Sequence, residues 1–491
     1  MKFQVFENNK VVDKFTLSGA YLFGSDGIAI RRAQITFRDG MIGCNKPNLE
    51  TAGLALLWPI EGFGRVLLPT TCLPERPRPY ILNVEIARAK LMQIINKRED
   101  WSFFESTDGV GDISQGAQQL FVQALQSISD APRASKLADE SLKRAIVFSE
   151  ELAAEQAGLL FKTRSRSHGF GRGCLGCRVD PRQIANPKYA EKLLKLFGFI
   201  TVPISWAQIE PNRGVYNFSV VDACVSVLSK KKLAIGAGPV LCFSKEYLPR
   251  WLLRSGVGFE KVRDAAYQFV SRLVGRYSGI VHAWCVISGL NVFNHFGFSF
   301  EQVLEMTRAA NMAAKAASDR ALKIVEVSNP WGEYYATRPN TIPPLVYVDM
   351  VVQSGINFDA FGLKMRFGKN EPGMHIRDMM HISALLDYFG LIGKPLYITE
   401  VEVPSENGDG LHAAETAGVW HEEWDELRQE QWIEQLYRIA LSKPFVDAVT
   451  YSNLADRKDS VIANSGLLTG KLESKRSYRG LRKLHELIFS R

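Results

Sequence analysis

The sequence predicts an α/β fold, a (β/α)8 barrel preceded by a small β-sandwich-like domain and a helical connector. Three observations carry this. From about residue 162 the chain alternates short apolar runs with amphipathic stretches; before residue 80 the pattern has period two; between the two it has helical spacing. The expected domains are therefore 1–80, 81–161 and 162–491. At 491 residues the chain is long for a single domain. Hydrophobic content of 46% and charged content of 23% suit a globular chain with a full core.

In residues 1–70, "ENNK" (7–10), "SDG" (25–27) and "RDG" (38–40) separate runs rich in Val, Ile, Phe and Thr. Asx-Gly pairs between such runs signal hairpins, because the central turn positions need positive φ. "LPTTCLPERPRPY" (68–80) is a proline-stiffened connector. "ILNVEIARAKLMQIINKRED" (81–100) and "ADESLKRAIVFSEELAAEQAGLLF" (138–161) read as helices, and "STDGVGDISQGAQQ" (106–119) as the loop between them. Trp58 stands among apolar residues and is expected to be buried. The first domain is accordingly expected to have a structural or oligomer-forming role.

Eight strands are then expected, around 168–176, 198–205, 233–241, 281–288, 322–328, 358–365, 395–403 and 447–453. Eight such units over this length are what a barrel requires, with function at the strands' C-terminal ends. A doubly wound sheet would offer a GxGxxG turn after its first strand, and "GFGRGCLG" lacks that spacing.

Several properties argue against other classes. A net charge of +8 over this length is a mild excess, and no stacking platform with interleaved basic residues accompanies it, so no nucleic-acid partner is expected. No run is apolar enough for a membrane span, and the opening residues do not read as a secretory signal. With seven cysteines, an odd number, the expected setting is a reducing cytoplasm. Cys174 and Cys177 form one CxxC near His168, but with no second pair they read as packed thiols. No metal and no cofactor are expected, and the sequence carries no signal for oligomeric state.

Four segments then supply a resemblance. "SWAQIEPNRGVYNFSVVDACV" (205–225), "YLPRWL" (247–252), "YITEVEV" (397–403) and "LLTGKLESKRSYRGLRKL" (467–484) are similar in order and spacing to segments of family 10 glycoside hydrolases, the xylanase family. The likeness covers roughly residues 165–490. It implies a glycoside hydrolase acting on a β-linked oligo- or polysaccharide, a carbohydrate substrate, and Glu400 in the place of the family's nucleophile. The match is uneven. The family's W-D-V-V-N-E reads here Trp284-Cys285-Val286-Ile287-Ser288-Gly289, without the acid/base glutamate. Its G-H reads Gly236-Ala237, and its Q-x-H reads Lys364-Met365-Arg366.

A relocated acid is therefore expected. Glu333 in "SNPWGEYYATRP" is favoured, because aromatic neighbours would favour its neutral form. Glu246, Glu402 and Glu406 are alternatives, with Glu402 on the face of Glu400 and further out. Trp331, Trp420 and Trp424 are expected on loops, where a ring can stack on a sugar, with Tyr335 beside the first of them. Trp206, Trp284 and Trp432 are expected in the core, and Asp456 in a structural role. The long segment 406–426 reads as a subsite wall, with His412 and His421 as candidate contacts. Gly289 is expected to leave room beside Glu400 that Asn291 and Asn294 could line. Lys364, Arg366, Arg338 and Arg457 would make the mouth basic, which suits a carboxylated or sulfated sugar. The competing expectation is a catalytically inactive barrel that binds glycan or a partner.

Overall fold

The structure is a computed structural model that describes residues 1–101, 110–167, 169–231, 233–254, 256–407 and 415–489, the side chains of 110–114 excepted. Its centre is a closed, parallel, eight-stranded barrel. The strands are β1 (Leu175–Arg178), β2 (Phe199–Pro203), β3 (Ala234–Gly238), β4 (Ala283–Ser288), β5 (Leu322–Ser328), β6 (Ala360–Arg366), β7 (Leu396–Glu402) and β8 (Val446–Tyr451). Each pairs with the next; β8 pairs with β1, and β3 with β4 across a short register contact. These strands read as near-continuous apolar runs because both faces are covered, one by the barrel interior and one by helices. Phe199, Ala283, Ile324 and Ala360 fill the lower interior with Tyr397 against them. The upper interior is left to polar side chains.

Helices follow the strands in turn, among them Phe259–Arg276, Phe300–Ala317, Met379–Gly390 and Glu426–Ser442. Ser299 opens the second of these with a capping box, its side chain and that of Gln302 each accepting the other's backbone N–H. No helix among the described residues is long and apolar enough to cross a membrane.

The N-terminal part is β-rich. One four-stranded sheet joins Gln34–Arg38, Met41–Asn45, Lys2–Gln4 and Tyr80–Ile81. The "RDG" turn closes its hairpin, with Asp39 and Gly40 at φ 50° and 73°. A second sheet joins Tyr21–Phe23, Gly53–Ile60 and Gly64–Pro69, and its fourth strand, Val419–Trp420, comes from the segment after β7. Trp58 is buried.

The helical region differs from expectation in two places. Residues 110–119 are not a loop: a helix runs Val110–Gln126, while 106–109 lie outside the described residues. Gly111 and Gly116 weaken the helix propensity of this segment. Ala117 and Ala124 are nevertheless fully buried, and Ser141 donates to the Ala117 carbonyl at 2.8 Å, so packing outweighs the propensity of the isolated segment. The last connector helix continues to Ser167 (Ala131–Ser167) and lies against the barrel helices Glu426–Ser442 and Met379–Gly390.

Polar contacts fasten this part to the barrel. Glu150 accepts the Met379 N–H at 2.7 Å and the Trp420 indole at 3.2 Å. Lys90 pairs with Asp378 at 2.8 Å, both side chains buried.

Candidate active site at the barrel mouth

Side chains two apart on a strand share a face, so β6 turns Lys364 and Arg366 inward and β7 turns Glu400 and Glu402 inward. The register sets Lys364 opposite Glu400 and Arg366 opposite Glu402. Both Glu400 oxygens are taken. Oε1 lies 2.6 Å from Arg178 Nη1 and 3.2 Å from Lys364 Nζ, and Oε2 meets Arg366 Nη2. Glu400 is 3% exposed. Burial alone would push its carboxyl up, but Arg366, Lys364 and Arg178 outweigh burial and hold it well below the usual carboxylate range.

Glu402 has a different setting. Arg366 Nε lies 3.2 Å from its Oε2, and the Asn453 amide donates to Oε1. Burial pushes this carboxyl up, the charge of Glu400 adds to that, and Arg366 in contact with the more distant Arg178 and Arg457 only partly offset it. A third carboxylate, Glu326 on β5, lies one layer down. It accepts from Ser288 and Thr399 and stands 3.4 Å from Lys364 Nζ, so that one ammonium bridges Glu326 and Glu400. Beneath Glu400 a cavity of about 30 Å³, bounded by Arg178, Gly236, Cys285, Glu326 and Thr399, has room for water but not for a sugar ring.

Gly289 follows β4 at φ 60°. A Cβ there would lie 2.6 Å from Ser328 Oγ and 2.7 Å from the Phe293 ring. The room expected beside Gly289 does not exist. Asn291 does not line it either: fully buried, its amide donates to the Ser328 carbonyl at 2.9 Å and to Tyr334 Oη at 2.6 Å. Asn294 holds the Phe298 and Asn340 carbonyls.

Residues 166–482 match the family described as Glycosyl hydrolase family 10. The chain belongs to that family. Endo-1,4-beta-xylanase 5-like of Arabidopsis thaliana is 23% identical over 283 residues, covering 56% of this chain and 44% of that protein. Endo-1,4-beta-xylanase 2 of Claviceps purpurea is 28% identical over 125 residues, 25% of this chain and 37% of that one. The chain thus spans less than half the length of either relative. Among solved structures, xylanase 10B of Thermotoga maritima aligns with TM-score 0.51 at 17% identity, covering 70% of this chain and 99% of that one. Xylanase 10B of Thermotoga petrophila, solved with xylobiose, gives 0.50 at 17% identity, covering 68% and 97%. At such identities the structural likeness speaks for the barrel fold.

Within this family 10 barrel, Glu400, Lys364 and Arg366 come together and most of the other candidates do not. Glu333 is absent from the Glu400 cluster. Its buried carboxylate is held by the Arg377 guanidinium and the Gly373 N–H, with His375 Nδ1 at 3.6 Å. No hydrogen bond or ion pair among the described residues joins Glu333 to Glu400 or to the cations around it. Arg377 also lies 4.1 Å over the Trp331 ring, and Arg31 lies 3.9 Å over the Tyr335 ring, so one face of each is already covered. Trp420 and Trp424 are buried, not sugar platforms: the N-terminal sheet captures the segment that carries Trp420. His421 packs at a tilt against Phe63 with ring centroids 4.5 Å apart. His412 and His168 lie outside the described residues. Glu246 and Glu406 are exposed. Asp456 accepts from Lys475 at 2.7 Å and from the Gly466 N–H, a structural role.

Arg178, Glu326 and Ser288 escaped the sequence reading as parts of this cluster. The available signal was a single charged residue at an inward position of an apolar strand, in "GCRVD" and "LKIVEVS".

Proposed function

We propose that this barrel hydrolyses a β-linked oligo- or polysaccharide, with Glu400 as the ionised carboxylate and Glu402 as the relocated acid. The observation that carries the reading is the opposite setting of two neighbouring carboxyls. Three cations surround Glu400, whereas Glu402 is buried with one cation and an amide. Environments that push two carboxyls apart in this way divide the work of hydrolysis between them. Glu402 protonates the departing glycosidic oxygen, Glu400 meets the positive charge that develops at the anomeric carbon, and water completes the cleavage. Arg366 contacts both carboxylates.

A second reading, a glycan-binding barrel without hydrolysis, is favoured by one observation: Gly289 leaves no space for any side chain where the family resemblance puts the acid. Turnover of aryl β-glycosides separates the two. On the hydrolase reading, Glu400→Gln abolishes turnover, and Glu402→Gln impairs substrates with poor leaving groups far more than activated ones. No turnover by the unaltered protein with any β-glycoside favours the second reading.

A further inference from the structure

We propose that the mouth of this barrel takes a sugar bearing a carboxylate, and that this carboxylate docks on Arg178 and Arg366 and thereby uncovers Glu400. The inference rests on Glu400 being the ligand-facing carboxylate of the reading above.

The first observation is that Glu400 is covered by its own partners. Although β7 aims it at the mouth, it is 3% exposed, while the Arg178 and Arg366 side chains are 19% and 16% exposed. The guanidiniums therefore lie between Glu400 and solvent, and a ligand meets them first. The second is that these guanidiniums are only partly used. Arg178 gives Nη1 to Glu400, and its Nε and Nη2 make no hydrogen bond among the described residues. Arg366 gives Nη2 to Glu400 and its buried Nε lies beside Glu402, while its Nη1 makes no hydrogen bond among the described residues. Arg178 therefore keeps a free Nε–Nη2 edge, the geometry that binds a carboxylate through two parallel N–H bonds, and Arg366 keeps Nη1 for a further bond.

The third observation is the layering of charge. Lys364, deeper than the arginines, sits between Glu326 and Glu400 and stays with them when the arginines turn outward.

A neutral sugar offers hydroxyls, which do not compete with a carboxylate for a guanidinium. Such a ligand leaves Glu400 capped. A carboxylated sugar offers each arginine an equivalent anion, and the exchange exposes a Glu400 oxygen while Lys364 keeps that residue ionised.

Equilibrium titration calorimetry on the full chain tests this, with D-glucuronate, D-glucose and acetate as probes. Glucuronate is expected to bind at least tenfold more tightly than either of the others. Arg178→Gln and Arg366→Gln, each checked for folding by circular dichroism, are expected to remove that preference. Glu400→Gln is expected to tighten glucuronate binding severalfold, because the internal competitor for the arginines is gone; a merely structural cluster would not give that result. Glucuronate binding no tighter than acetate or glucose overturns the proposal, as does unchanged or weaker binding in Glu400→Gln. These measurements need no turnover. Glucuronate preference without cleavage of any glycoside sinks the hydrolase reading alone, and brisk cleavage of neutral glycosides without that preference sinks the docking proposal alone.

Discussion

Replacing Gly289 by glutamate restores on paper the acid that the family resemblance puts after the fourth strand, and the structure predicts that it restores nothing. At φ 60° the backbone is left-handed, which costs an L-residue roughly 1–2 kcal/mol. The new Cβ meets Ser328 Oγ at 2.6 Å and the Phe293 ring at 2.7 Å, so both must move. Overpacking of that kind costs typically about 1–3 kcal/mol. Together these give a loss of about 2–5 kcal/mol before the added charge is considered, a large part of a native protein's stability. Gly289→Ala isolates the backbone and Cβ contributions. The assay is urea unfolding followed by tryptophan fluorescence, with aryl glycoside turnover measured alongside. Both variants are expected to unfold at clearly lower urea, with no gain of hydrolysis in Gly289→Glu. A wild-type midpoint in both, or a gain of turnover, refutes the reasoning.

Two further predictions concern the junction between the N-terminal part and the barrel. Burial holds the His375 ring down to about 4, whereas an unfolded ring takes its proton near 6.5. The unfolded state therefore binds the extra proton between those values, and stability falls as pH drops from about 6.5 to about 4, by up to about 3 kcal/mol. His375→Gln is expected to flatten that dependence in urea midpoints measured at pH 7 and 4.5; an unchanged slope contradicts it. Lys90→Met leaves Asp378 buried with His381 as its remaining basic neighbour, and is expected to cost about 3–5 kcal/mol in the same unfolding assay. A loss below 1 kcal/mol would show that the pair does not fasten the helix Leu82–Asp100 to the barrel.

The barrel was legible because its strands are buried on both faces and stand out as apolar runs between amphipathic helices, and the place of Glu400 on β7 was legible through its motif. What failed depended mostly on residues far away in sequence. The aromatic neighbours of Glu333 are real, but Arg377 supplies a partner that nothing around residue 333 announces. Trp420 lies in a long segment after β7, as expected, yet that segment pairs with Gly64 and Arg65 of the N-terminal sheet, which buries the ring. Gly289 suggested room because glycine lacks a side chain, whereas Phe293 and Ser328 already fill the space. Arg178 and Glu326 are each the one charge at an inward position of their strand, and only closure of the barrel shows that they converge on Lys364 and Glu400.

The central claim is that Glu400 and Glu402 divide the work of hydrolysis, and leaving-group dependence tests it most directly. Hydrolysis rates for a series of aryl β-glycosides of graded leaving-group pKa are compared in the unaltered protein and in Glu402→Gln. A donor of the leaving-group proton makes the rate nearly independent of leaving-group pKa, so the unaltered protein is expected to show a shallow slope. Glu402→Gln is expected to show a steep one, with nearly normal rates only for the most activated substrates. Parallel slopes in the two proteins would contradict the assignment of Glu402, and no cleavage of any member of the series would contradict hydrolysis itself.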